Sequence, residues 1–278
     1  MKRALAVVYL VAFTCSAEQQ FLVTSHKPDG IHKVDSSGNV VWTYSDIRHP
    51  QDFDVDAQGN IFCSEILGAK MLSPEGKLLW RYDVPKGCQN PVAQFLGDGR
   101  FLVGNEGPGK LLEINSKGET LKEVQLLPKN DKSHGQFRFC RKTPQGTCLA
   151  PMTADGVVHE VSSEGEIIRD FGKFTQPVCA VRLGNGHTLI GSLRRLNDFD
   201  KDGKLVWSFN PVVDGKLPEG NKGHVCSIQP LENGDIAFTF YHGVKAWPDI
   251  MVVNRKKEVV KSIVLPEIDK VASLRKSL

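Results

Sequence analysis

Short runs in which apolar residues dominate or alternate with polar ones fill the chain, and turn signals rather than helical spacing separate them. One segment recurs. In Asp35-Ser36-Ser37-Gly38-Asn39-Val40-Val41-Trp42, Ser73-Pro74-Glu75-Gly76-Lys77-Leu78-Leu79-Trp80 and Asp200-Lys201-Asp202-Gly203-Lys204-Leu205-Val206-Trp207 a polar turn with glycine leads into an apolar strand. Weaker copies surround Gly118 and Gly165, and a sixth puts Lys257 in the glycine slot. A second signal precedes most copies: two apolar runs joined at Gln58-Gly59, Asp98-Gly99, Gln145-Gly146, Asn185-Gly186 or Asn233-Gly234. Such pairs favour hairpins because glycine supplies the positive φ of a tight turn.

Together the two signals predict blades of four antiparallel strands, A to D, repeating at the spacing of a propeller. Blade two is predicted at 51–56, 60–65, 69–73 and 77–83. Blades three to six cover about 91–124, 138–171, 178–209 and 226–263. The first blade supplies only 21–25, 30–35 and 39–44. Its missing A strand is expected at 270–276, so the C-terminus closes the ring and removes exposed sheet edges. The expected fold is therefore an all-β, six-bladed propeller of four-stranded antiparallel blades, one domain over 18–278.

Strand alternation puts the short A–B and C–D turns on one face and the D–A and B–C connections on the other, the top. The top carries the irregular insertions 125–135, 210–223 and 240–248, where function is expected. Ten residues before each A–B turn glycine stand His49, Gln89, Gln136, Gln176 and His224. All can donate and accept hydrogen bonds. Two roles fit this ring: locking neighbouring blades together, or lining a polar funnel that binds a ligand. The B–C loops would add Glu65, Asn105, Glu106, Arg194, Tyr241 and His242, and an insertion would add His134. If the funnel is catalytic, His49, His134 and His224 are the candidate reactive groups. The motif tryptophans alternate with lysine and arginine at one D-strand position, which marks a half-exposed structural site. Asp198 to Gly203 resembles half a calcium loop, but Phe209 occupies the place of the closing acid, so a turn is expected and no metal. Asp52, Asp54 and Asp56 alternate and are expected on one face of a strand.

Composition adds location. Lys2-Arg3, an apolar stretch from Ala4 to Phe13 and small residues to Ala17 read as a signal peptide over 1–17, so the mature protein is expected to be exported, periplasmic or extracellular. Lipid attachment at Cys15 is the lesser alternative, and no later stretch suits a transmembrane helix. Without Lys2 and Arg3 the chain keeps 33 basic and 32 acidic residues, too balanced to attract nucleic acid. Six cysteines follow the leader. Cys140 and Cys148 flank a turn and can bridge if they share a face; buried free thiols are the other reading.

The segments Leu183-Gly184-Asn185-Gly186-His187-Thr188-Leu189-Ile190-Gly191 and Asp200 to Trp207 resemble the quinoprotein-like β-propellers, and in particular the arylsulfotransferase-type branch. The resemblance implies an exported six-bladed propeller. In those sulfotransferases a channel histidine accepts the sulfuryl group; His49, His134 or His224 has the chemistry for it, with Arg194 or Arg195 as counter-charge, but none lies in a matching catalytic motif. The vicinal cysteines of quinone enzymes are absent, so no cofactor is expected. The favoured reading is a monomeric binding or scaffold propeller for a small molecule, glycan or peptide on the top face. The alternative is a channel-histidine transferase, lyase or hydrolase.

Overall fold

The structure is a computed structural model and describes residues 20–129, 132, 134–219, 223–241 and 247–277. The expected signal segment at 1–17, with Cys15, and His242 lie outside the described residues. The described chain forms 24 strands and six four-stranded antiparallel sheets. Blade one holds β1 (Phe21–Lys27), β2 (Asp29–Val34) and β3 (Val40–Tyr44). Blade two holds β4 (Pro50–Val55), β5 (Ile61–Glu65), β6 (Gly68–Leu72) and β7 (Leu78–Asp83). Blade three runs β8 (Ala93–Gly97), β9 (Arg100–Asn105), β10 (Lys110–Asn115), β11 (Thr120–Gln125). Blade four runs β12 (Arg141–Lys142), β13 (Cys148–Met152), β14 (Val157–Val161), β15 (Ile167–Lys173). Blade five runs β16 (Cys179–Arg182), β17 (Thr188–Ser192), β18 (Arg195–Phe199), β19 (Leu205–Phe209). Blade six runs β20 (His224–Pro230), β21 (Ile236–Tyr241), β22 (Ile250–Val253), β23 (Val259–Ile263).

The ring closes as the pattern requires. β24 (Asp269–Lys276) pairs antiparallel with β1, from Phe21↔Lys276 to Lys27↔Asp269, and becomes the A strand of blade one. The A strands approach one another around the axis: β24 contacts β4, β4 contacts β8, and β16 and β20 continue the circuit back to β24. The B strands, and most of the C strands beside them, are buried on both faces because each blade is covered by its neighbours. D strands are outermost and expose alternate positions.

Six apolar clusters form the core, one in each seam between consecutive blades. Phe53, Ile61 and Leu72 meet Leu22 and Ile31 in the first seam, and Phe21, Val271 and Leu274 meet Ile250 and Val252 in the last. The tryptophans seal these seams from outside. Trp42 packs so closely on the next blade's turn that a Cβ on Gly76 would lie 2.8 Å from its ring. Trp207 donates from Nε1 to the Arg255 carbonyl, 3.0 Å away, on the turn of blade six. In that turn Lys257 adopts a left-handed φ of 68°, so the turn geometry persists without its glycine.

All six described cysteines are free. Arg141 pairs with Leu149 and Lys142 with Cys148, so Cys140 and Cys148 are not direct cross-strand partners; both pack as apolar side chains in the seam of blades three and four. Asp200 Oδ1 accepts the backbone amides of Asp202 and Lys204, at 2.9 Å each, which is turn formation. Among the described residues no His/Cys/Asp/Glu group has the arrangement of a metal site.

Candidate functional site

A funnel of about 360 Å³ opens on the top face beside the axis. Its walls include His26, His49, His134 and His224 with Arg138, Tyr241, Gln51 and Gln176; Ile66, Phe139, Val178 and Ala272 supply apolar surface. Below it the axis is closed by charge. Asp52 on β4 is fully buried and accepts from both terminal nitrogens of Arg141, Nη2 at 2.6 Å, and from Ala93 N at 3.0 Å. Arg275 approaches with Nη2 3.6 Å from Asp52 and Nε 3.5 Å from Asp54. Burial, then the neighbouring charge of Arg141, holds the Arg275 guanidinium below its ordinary range. Asp52 and Asp54 thus face the axis together, whereas Asp56 turns away to cap the A–B turn through Gln58 N and Asn60 N.

Hydrogen bonds fix the imidazoles in distinct roles. His26 Nε2 lies 2.9 Å from the Pro50 carbonyl, which only accepts, so that nitrogen carries the proton. Its Nδ1 is then the acceptor for the Tyr241 hydroxyl at 3.2 Å. His134 Nδ1 donates to Gln89 Oε1 at 2.8 Å and Nε2 faces Arg138 Nη2 at 3.3 Å. His224 Nε2 donates to Gln176 Oε1 at 2.8 Å. His49 stands edge-on to His26, with ring centroids 5.2 Å apart. Arg138 is held from behind by Glu106, 1% exposed, which accepts Nη1 at 2.9 Å and Phe137 N at 3.2 Å. Burial raises the Glu106 carboxyl above the ordinary range, and Arg138 opposes that shift.

The expected ring therefore divides. His49, Gln176, His224, His134 and Tyr241 line the funnel. Gln89 supports His134 from behind. Gln136 ties blades: its amide accepts Gly107 N at 2.8 Å and donates to Gly107 O at 3.2 Å. Glu65 accepts Arg48 N at 3.1 Å and lies 3.8 Å from Lys70 Nζ, outside the funnel wall. Asn105 is buried at the end of β9. Arg194 and Arg195 line a separate cavity with Thr175 and Asn210, so they bring no counter-charge to the histidines.

His26, Gln51 and Arg138 escape the sequence ruler because it marks one A-strand position per blade. His26 comes from the B strand of blade one, and Gln51 and Arg138 sit two residues beyond the marked positions. Blade one has no A–B turn glycine to measure from, and only the closed ring shows its sixth position: Lys270 precedes Ser273 as His49 precedes Asp52, and Ser273 Oγ lies 3.4 Å from Asp52 Oδ1. His49, Gln176 and Lys270 share a left-handed backbone, with φ of 46°, 49° and 56°.

Burial is the leading cause that lowers the pKa of His26, His134 and His224 below the usual 6.5. Their neutral forms are favoured in the folded protein. Stability from these groups is complete above the unfolded value near 6.5 and falls as pH drops through it toward the folded values, because only the unfolded chain gains the protons. Proton NMR titration should place all three midpoints below 6.5, with lower urea midpoints at pH 5.5 than at pH 7.5 traceable to them by His→Gln substitution. Midpoints at or above 6.5 would contradict the desolvated funnel.

No family model matches the chain, and no curated protein matches it. Solved structures do. A protein of unknown function from Bacteroides caccae aligns over 94% of this chain and 99% of its own, at 24% identity and a TM-score of 0.81. A streptogramin B lyase aligns over 96% and 93%, at 14% identity and a TM-score of 0.65. The WD40 propeller domain of Doa1 aligns over 80% and 71%, at 15% identity and a TM-score of 0.56. At these identities the likeness establishes what the strands already show: the chain is a six-bladed β-propeller.

Proposed function

We propose that this is an exported small-molecule-binding propeller whose ligand enters the top-face funnel. The observation that carries the reading is the convergence of four imidazoles, Arg138 and Tyr241 on one cavity with an apolar lining. A concave, largely apolar site with a few placed polar groups suits a small molecule. A cavity of about 360 Å³ takes a ligand of modest size and favours it over an extended glycan or peptide.

Charge narrows the ligand. Arg138 is committed to buried Glu106, and the desolvated imidazoles favour their neutral forms. His26, His134, His224 and the Tyr241 hydroxyl therefore offer neutral donors and acceptors, which suits an uncharged polar group attached to an apolar body. Sulfuryl transfer, suggested by the turn-motif resemblance, loses support because Arg194 and Arg195 stand in another cavity. Propellers named as a lyase and as a WD40 domain both share the fold, and fold alone does not choose between catalysis and binding.

Saturation-transfer NMR with phenylacetamide and related aryl amides should detect binding, and Thr153→Trp, which fills the funnel wall, should abolish it. Undiminished binding by folded Thr153→Trp protein would place the ligand elsewhere.

A further inference from the structure

Asp29 starts β2 beside the funnel mouth. Its Oδ2 accepts the backbone amide of His49 at 3.1 Å, so the carboxylate is fixed relative to that residue. Its Oδ1 is buried and has no hydrogen-bond partner among the described residues, yet it lies 3.8 Å from His49 Nδ1. A buried orphan acceptor is costly, and a small rotation of the imidazole satisfies it. His49 itself is held in a left-handed conformation, an uncommon state for a non-glycine residue and one that gathers at functional sites. Its side chain is 52% exposed, so water reaches the ring. His26 contacts both His49 and Tyr241; the Tyr241 hydroxyl donates to His26, and burial raises the phenol's pKa, so Tyr241 stays a proton-bearing donor.

We propose that the funnel is a hydrolytic site for small uncharged carboxylic esters or lactones, with His49 as general base, Asp29 positioning it and Tyr241 as oxyanion donor. The inference rests on the binding reading above. His49 Nδ1–H donates to Asp29 Oδ1, which fixes the proton on Nδ1 and leaves the Nε2 lone pair for water. As water oxygen bonds to the acyl carbon, Nε2 removes a proton and the carbonyl π pair moves to oxygen. The Tyr241 hydroxyl turns from His26 to that oxygen. Collapse restores the carbonyl, breaks the acyl–oxygen bond, and returns the proton from His49 to the leaving oxygen. One water and one ester give one acid and one alcohol, with no redox partner. Access of water to His49, and the engagement of the wall's Arg138 by Glu106, favour this acyl chemistry over transfer of a charged phosphoryl or sulfuryl group.

The test uses the full-length protein with 4-nitrophenyl acetate, 4-nitrophenyl butyrate and dihydrocoumarin, alongside phenylacetamide as an inert binding probe. Turnover is expected, with His49→Gln lowering kcat/KM about 100-fold or more, the range of a general base. Asp29→Asn should lower kcat at least about tenfold with little change in KM and alter the acid limb of the pH profile, with partial rescue by Asp29→Glu, because a positioning carboxylate acts on tautomer and orientation. His159→Gln, outside the funnel, controls for stray imidazole reactivity and should leave the rate unchanged. Equal rates in wild type, His49→Gln and Asp29→Asn would overturn the proposal. So would phenylacetamide binding without hydrolysis of any of the three substrates, which leaves the binding reading intact. Absence of both binding and hydrolysis overturns both.

Discussion

A chain ending at Ile268 is expected to lose its cooperative native fold. Truncation there removes β24, the A strand of blade one, and exposes the edge of β1 from Phe21 to Lys27. It also removes Val271 and Leu274, each fully buried in the seam between blades six and one. Those two side chains alone are worth roughly 3–6 kcal/mol, against a total stability of about 5–15 kcal/mol for a typical domain. The ladder hydrogen bonds and the Ser273 and Arg275 contacts to Asp52 go with them. A circular permutant separates loss of sequence from loss of closure. Ser277 N donates to Gln20 O at 3.0 Å, so residues 269–277 can be joined directly ahead of Gln20 with the new C-terminus at Ile268. The permutant should show near-ultraviolet circular dichroism and a urea transition like the parent's, while the truncated chain shows neither. A cooperative transition in the truncated chain would mean that five complete blades stand without closure.

Asp52→Ala should destabilise the protein by about 3–5 kcal/mol, the cost of leaving buried charge uncompensated. Asp52 pairs with both Arg141 and Arg275, whose side chains are each 13% exposed. Its removal leaves the two guanidinium groups with only the more exposed Asp54 to offset them among the described contacts. Burial and the Arg141 charge already hold Arg275 below its ordinary range with Asp52 in place. The combined variant Asp52→Leu/Arg141→Met should recover much of the loss, since apolar replacement of a buried pair is often neutral. Urea denaturation of the three proteins decides the point. A loss under about 1 kcal/mol for Asp52→Ala would show that water reaches the plug and solvates both guanidinium groups.

The fold was legible because its signals are local. Polar turns around Gly38, Gly76, Gly118, Gly165 and Gly203, and the pairs from Gln58-Gly59 to Asn233-Gly234, mark hairpins wherever they occur, and their spacing counts the blades. Even the unusual closure was readable, because 270–276 is a strand-like run with no partner left nearby. The site was legible only in part. The ruler found His49, Gln176 and His224, which the structure brings to one cavity, but it also marked Gln136, which ties two blades. It passed over His26, Arg138 and Asp29, which reach the funnel region from other strands and other registers. Arg194 looked equivalent to a funnel residue by loop position, yet its loop directs it to a neighbouring cavity.

Sequence by itself therefore determined the number of blades, the order of strands within each and the place where the ends meet. Hairpin turns and apolar alternation act over a few residues, and repetition multiplies a weak signal six times. Only the tertiary structure decided that Asp52 bridges Arg141 and Arg275 to plug the axis, and that Asp29 stands behind His49 while Tyr241 donates to His26. Those pairings join residues as far apart as 215 and 223 positions along the chain, brought together by ring closure. No local pattern encodes a contact that exists only once the last strand has docked against the first.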